Sequence, residues 1–186
     1  FNFGAIDREI EGVETLMGAE LNVMDLEGSL DLDGRLLDCL DMAIASLHPP
    51  CIPPCPDAQA NTHALIQAMD CPKVCILGHP DDGRYPLDYP TLVRAAGERG
   101  VLLEVNNTSL TPGCFRKDGP LHCAQMLREC RRQGVSVVVG SDAHFASAVG
   151  AHQYAQALLE ELDFPPELVL NTHPARFKQV IEKKIG

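Results

Sequence analysis

Apolar and polar positions alternate along this chain in a recurring unit. A short apolar or β-branched run ends abruptly in a polar residue, a loop follows, and then a stretch with helical period. The runs are Val13–Glu20, Met42–His48, Lys73–His79, Val101–Asn107 and Ser136–His144. After the first run, Glu27-Gly28 predicts a hairpin turn with Ser29–Leu32 returning. Between and after the runs, helical period marks five stretches. Asn61-Thr62 reads as the N-cap of a helix to Met69. Tyr89-Pro90 opens a second helix that stops at Gly100, and Gly119-Pro120 opens a third that ends at Gly134. A fourth is expected over Ser147–Leu162, before Pro165-Pro166, and a fifth from Pro174 to Lys184. Near-continuous apolar strands alternating with helices predict an α/β fold with parallel strands covered on both faces. Pro49–Pro56 reads as a rigid surface loop.

The length of 186 residues fits one domain. With 26 acidic and 15 basic residues, the net charge is −11. Such a surface repels phosphate backbones and anionic lipid, so neither nucleic acid nor a membrane is expected as the main partner. No apolar run approaches the roughly 18 residues of a transmembrane helix. The eight cysteines lack the C-x2-C spacing of zinc ribbons: Cys51/Cys55 and Cys71/Cys75 are C-x3-C. They read as reduced thiols of a cytoplasmic protein. The chain begins with Phe1.

Chemistry concentrates where the runs end. In α/β barrels, side chains at the C-terminal ends of the strands converge on one rim. Glu20, His48, His79, Asp142 and His144 occupy such ends. Three imidazoles and two carboxylates suit zinc, manganese or iron. Asp142 and His144 are two apart, which puts both on one side of an extended strand end. Glu20 or Asp142 is a candidate bridge between cations. A lone strand-end histidine is an ordinary hydrogen-bonded residue, but three in one register favour a metal site. His63, His122 and His152 are expected inside helices, and His173 precedes Pro174, so none is assigned to metal. Asn106 and Asn107 either reach the rim or cap the strand–loop junction. Arg84, Arg116 and Lys117 are the cations available to orient a substrate.

Gly18-Ala19-Glu20, Ala45-Ser46-Leu47-His48, Gly78-His79-Pro80, Leu103-Glu104-Val105-Asn106-Asn107 and Gly140-Ser141-Asp142-Ala143-His144 stand in the order seen in PHP-domain proteins (polymerase and histidinol phosphatase). The chain resembles in particular the stand-alone bacterial PHP phosphatases that hold three zinc ions. The resemblance spans essentially the whole chain. It implies a distorted (β/α)7 barrel, of which residues 1–186 would supply strands three to seven and their helices, as the larger C-terminal part of a single PHP domain. It further implies that Glu20 bridges two metals, His48 and His79 bind the second, Asp142 the first and His144 the third. The family's N-terminal His-x-His strand has no counterpart here, and a longer parent protein is expected to carry it. Two missing adjacent strands would otherwise leave two long open edges.

The expected activity is hydrolysis of a small phosphorylated substrate by metal-bound hydroxide, with the cations neutralising the ester's charge. Two alternatives stand beside it. One is a metal-dependent amidohydrolase-like C–N hydrolase, although none of the five runs ends in the bridging Lys typical of those barrels. The other is a truncated, non-catalytic metal-binding module. The substrate, the metal and the oligomeric state are not legible.

Overall fold

A computed structural model describes residues 6–32 and 34–185. Phe1 lies outside them. Five parallel strands carry the architecture: β3 (Gly18–Asn22), β4 (Met42–Ser46), β5 (Val74–Leu77), β6 (Leu102–Asn106) and β7 (Val137–Gly140), hydrogen-bonded in sequence order. Ahead of them, β1 (Glu9–Ile10) and β2 (Val13–Glu14) form a separate antiparallel hairpin. The helices are α1 (Gly34–Leu37), α2 (Ala58–Ala68), α3 (Tyr89–Arg99), α4 (Gly119–Gln133), α5 (Gln153–Glu161) and α6 (Pro174–Ile185). Sequential parallel order is the arrangement of a barrel wall. The five strands form an open sheet and do not close into a barrel.

Strand alternation divides the sheet into two faces. Ala43, Ala45, Leu103, Val105 and Val137 face one side, where Leu65 and Met69 of the α2 region, Leu92, Val93 and Ala96 of α3, and Met126, Leu127 and Cys130 of α4 close over them. Met42, Ile76 and Leu102 face the other and pack against Ile181 and Phe177 of α6. The α6 helix covers only the lower part of that face. The C-terminal ends of the strands remain open above it, and the polar residues of the runs stand there.

Several local expectations are corrected. The run Val13–Glu20 is two elements, because the hairpin turn at Glu11-Gly12 leaves only Gly18–Asn22 in the sheet. The return after Glu27-Gly28 is a single antiparallel bridge, Val23 to Leu30, closed by Asp25 accepting from the Ser29 amide. The cap of α2 is Asp57, whose carboxylate accepts from the Gln59 and Ala60 amides. Asn61 and Thr62 lie buried inside that helix; Asn61 donates to the carbonyls of Cys55 and Pro86. The stretch expected as one helix over Ser147–Leu162 breaks at Gly150 into a 3-10 turn at Ala146–Ala148 and α5. His152 therefore precedes α5 rather than lying within it. Cys75, Cys123 and Cys130 are buried, and burial pushes all three thiols up.

Candidate metal centre

Glu20 near the end of β3, His48 just past β4 and His79 just past β5 meet above the open end of the sheet. One ligand atom from each lies within 4.8 Å of the others. His79 Nε2 is 2.9 Å from Glu20 Oε1 and 3.1 Å from His48 Nε2. Two imidazole nitrogens and a carboxylate oxygen facing one point form a donor set that could hold a divalent cation.

The surrounding residues aim these atoms. Asn22 accepts from Nδ1 of His48 at 2.8 Å. Its own side-chain amide donates to Asp31 at 2.5 Å, and its backbone amide donates to the same carboxylate at 3.0 Å. The carboxylate fixes the amide, the amide fixes the ring, and Nε2 of neutral His48 is left with its lone pair toward the cluster. Burial lowers the His48 pKa and the neighbouring His79 lowers it further, against the pull of Glu20. For Glu20, partial burial acts upward, but hydrogen bonds from His79 and Ser46 and the charges of both histidines overcome it and hold the carboxyl at about 2. Ser46 donates to Glu20 Oε1 at 2.6 Å.

His79 turns out of β5 in the left-handed region, φ 31°, and Asp142 leaves β7 at φ 51°. For residues with side chains such angles cost energy and persist where neighbours impose them. The neighbour under His79 is Glu104, 8% exposed, whose Oε2 accepts the His79 amide at 2.8 Å and the Asn106 side chain at 3.2 Å. Burial raises the Glu104 pKa, and the His79 amide offsets part of that. Glycine is required where Glu104 crosses β7. A Cβ on Gly140 would sit 1.9 Å from Glu104 Oε1, and one on Gly78 would meet Ser46 Oγ at 2.3 Å.

The other two expected ligands stand apart from this trio. Asp142 Oδ2 accepts from Arg116 and from Asn106, each at 3.2 Å, and His144 is exposed with Nδ1 3.0 Å from the Asp142 carbonyl. They share with Glu20, Ile44, Glu104, Asn106 and Gly140 a cleft of about 400 Å³. Three of the five residues are thus brought to one point, and two line the cleft beside it. Of the two asparagines, Asn106 reaches the site, whereas Asn107 caps α5 by accepting from the Tyr154 and Ala155 amides. Arg116 is buried between Asp142 and Ser109, Arg84 is clamped by Asp82, and Lys117 is exposed. Larger clefts at the α3–α4 ends and beside α5 carry no comparable donor set among the described residues.

Asn22, Asp31, Ser46 and Glu104 went unassigned in the sequence reading. Glu104 alone carries a signal, a single acid flanked by the apolar residues Leu103 and Val105. Asp31 and Asn22 meet only because the chain folds back at Gly28.

No family model matches the chain. Curated relatives do. A probable phosphatase of Caldanaerobacter subterraneus subsp. tengcongensis is 43% identical over 183 residues, covering 98% of this chain and 71% of the relative. A probable phosphatase of Clostridium novyi is 35% identical over 184 residues, covering 99% of this chain and 74% of the relative. A third, from Yersinia pestis, is 36% identical over 177 residues, covering 95% and 71%.

Proposed function

The chain belongs to the family of these probable phosphatases, and on that premise we propose that it hydrolyses a small phosphate ester at a divalent-metal centre of the PHP type. One observation carries the reading: Glu20, His48 and His79, delivered by three successive strands, place a carboxylate and two imidazoles around one point. Asn22 directs the lone pair of one of those rings. These three residues would hold a cation, with Asp142 and His144 completing the set across the shared cleft. Zinc fits the nitrogen-rich set, and manganese or iron share its chemistry. When bound, such ions supply Lewis-acid neutralisation of the phosphoryl oxygens and lower the pKa of water.

The residues of the chain do the rest. Glu20 stays ionised across the physiological range, because its pKa is held at about 2. It therefore contributes negative charge to the centre at any working pH. Glu104 holds the His79 backbone, Ser46 holds Glu20, and Asp31 acts through Asn22 on His48. The substrate enters by the cleft at the C-terminal ends of the strands that Glu20, Asn106, Asp142 and His144 line. Among the described residues no helix is long and apolar enough to cross a membrane. We place the protein in the cytoplasm, where its eight free cysteines remain thiols.

The purified protein is expected to release phosphate from nitrophenyl phosphate, to lose that activity with a strong chelator and to regain it with added zinc or manganese. His79→Ala should abolish both the activity and tight metal retention. Activity that survives complete chelation refutes the metal mechanism.

A further inference from the structure

Phe115 is an exposed aromatic side chain, 70% accessible, on the loop after β6. Exposure of so large a ring gains nothing for folding. Two guanidiniums nevertheless lie over it, Arg84 at 5.4 Å and Arg116 at 5.2 Å from the ring centre. They arrive from different loops, Arg84 after β5 and Arg116 after β6. The two loops are stitched together: the Gly83 amide donates to the Lys117 carbonyl at 2.7 Å, and the Lys117 amide donates to Asp82 at 3.2 Å. Arg116 in turn donates to Asp142, which lines the cleft shared with Glu20. The ring is therefore two contacts from the wall of the metal-binding cleft.

Each guanidinium already has a carboxylate, Asp82 for Arg84 and Asp142 for Arg116. Their charge is largely spent, which argues against a second anionic group of the substrate as the ligand here. Flat surfaces remain: the exposed Phe115 ring and the partly exposed Arg84 guanidinium, the combination on which planar conjugated groups stack, while the buried Arg116 backs the ring. We propose that Phe115, with Arg84 beside it and Arg116 behind it, receives the leaving group of the ester and selects substrates whose alcohol part carries a planar aromatic ring, such as an aryl group or a nucleobase. The proposal rests on the phosphate-ester reading above and adds the substrate class. Phe115 contacts the leaving group, whereas Lys117 contributes its backbone to the platform.

The test compares kcat/KM for naphthyl phosphate and glycerol phosphate in the full chain, wild type against Phe115→Ala and Phe115→Tyr. The expected result is an aryl-to-alkyl ratio that falls about tenfold in Phe115→Ala, through the KM of the aryl ester, and recovers in Phe115→Tyr. A ratio that does not move, or a Phe115→Tyr variant as poor as Phe115→Ala, overturns the proposal. If neither ester releases phosphate, the activity reading fails on its own. Titration with a naphthylmethyl phosphonate, followed by naphthyl fluorescence anisotropy, then decides the platform. Weaker binding to Phe115→Ala than to wild type supports it, and equal or absent binding overturns it.

Discussion

Replacing Gly140 by Ala adds one methyl group at the end of β7 and aims it at Glu104. The added carbon would lie 1.9 Å from Oε1, 3.0 Å from Cδ and 3.4 Å from Cγ. Gly140 has no positive φ, so the backbone itself accepts alanine. The cost falls on Glu104. An exposed carboxylate would swing away freely, but this one is buried, and its other oxygen holds the His79 amide and the Asn106 side chain. Forcing a methyl into a packed site costs about 1–3 kcal/mol. Losing one hydrogen bond to a carboxylate costs about another 1.5–3 kcal/mol. Relaxation makes the two partly alternative, so about 3 kcal/mol is expected. For a chain of this size that lowers Tm by about 6–12 °C. The His79 backbone loses its anchor in the same step, so metal retention should fall along with stability. The control is Gly34→Ala in α1, where nothing lies within 4 Å of the added carbon; there the helix gains a better former and stability changes by less than about 1 kcal/mol. Both variants are compared by thermal denaturation and by metal content after dialysis. A Gly140→Ala protein with the Tm and metal content of wild type refutes the role given to Glu104.

The remaining predictions address separate parts of the site and fold. Asn22→Ala should weaken zinc affinity by about 10–100-fold while leaving the fold intact, because it frees the His48 ring without removing a ligand; competition with a chromophoric chelator reads this. Asp81 is fully buried, its carboxyl oxygens have no hydrogen-bond partner among the described residues, and burial raises its pKa from the ordinary 3.8 to about 7, with Ser109, His79 and Arg116 offsetting only part of that. The folded state therefore holds a proton that the unfolded state releases, and stability contributed below about pH 4 is lost as the pH rises toward 7, by up to about 1.4 kcal/mol per pH unit. In chelator-treated protein, Asp81→Asn should flatten that slope and stabilise the protein at pH 8, as measured by urea unfolding; an unchanged slope refutes the assignment. Asp57→Ala should cost about 1 kcal/mol through the lost cap of α2, seen as a modest drop in Tm with metal binding unaffected.

What could be seen in the chain and what could not separate along physical lines. The strands of the sheet were legible because Val74–Leu77 and Val137–Gly140 read as unbroken apolar runs, and Leu102–Asn106 as one interrupted by Glu104 before its polar end. The starts of α3 and α4 were legible because Pro90 and Pro120 sit where only a first helical turn tolerates proline. The start of α2 was not, since Asn61 and Thr62 carry cap chemistry but lie inside the helix, Asn61 donating to the carbonyls of Cys55 and Pro86 outside it and Thr62 to that of Ala58, while Asp57 follows a proline-rich stretch that reads as loop. Strand ends named Glu20, His48 and His79, and the structure gathers these three. The supports could not be read, because each joins residues distant in sequence: Glu104 to His79 across 25 positions and Ser46 to Glu20 across 26. Periodicity records which face a residue occupies; it holds no record of which neighbour stands opposite.

The buried acid explains a feature that the ligands alone do not. A histidine at φ 31° and an aspartate at φ 51° are strained conformations, each costing on the order of 1–3 kcal/mol. Both occur where a strand hands over to the rim, and both residues face the region in which cations are proposed to bind. An extended continuation of β5 would carry the His79 ring along the strand direction and away from Glu20. The left-handed turn brings Nε2 to 2.9 Å from that carboxylate instead. The Glu104 side chain, rooted one strand away on β6, holds the turn by accepting the His79 amide, and Asn106 on the same strand contacts both Glu104 and Asp142. A single strand thus supports both strained corners, and the small residue at 140 on β7 keeps the passage open for it. Both turns are held by neighbours already in place, so the geometry of the proposed ligands would not have to be created on cation binding.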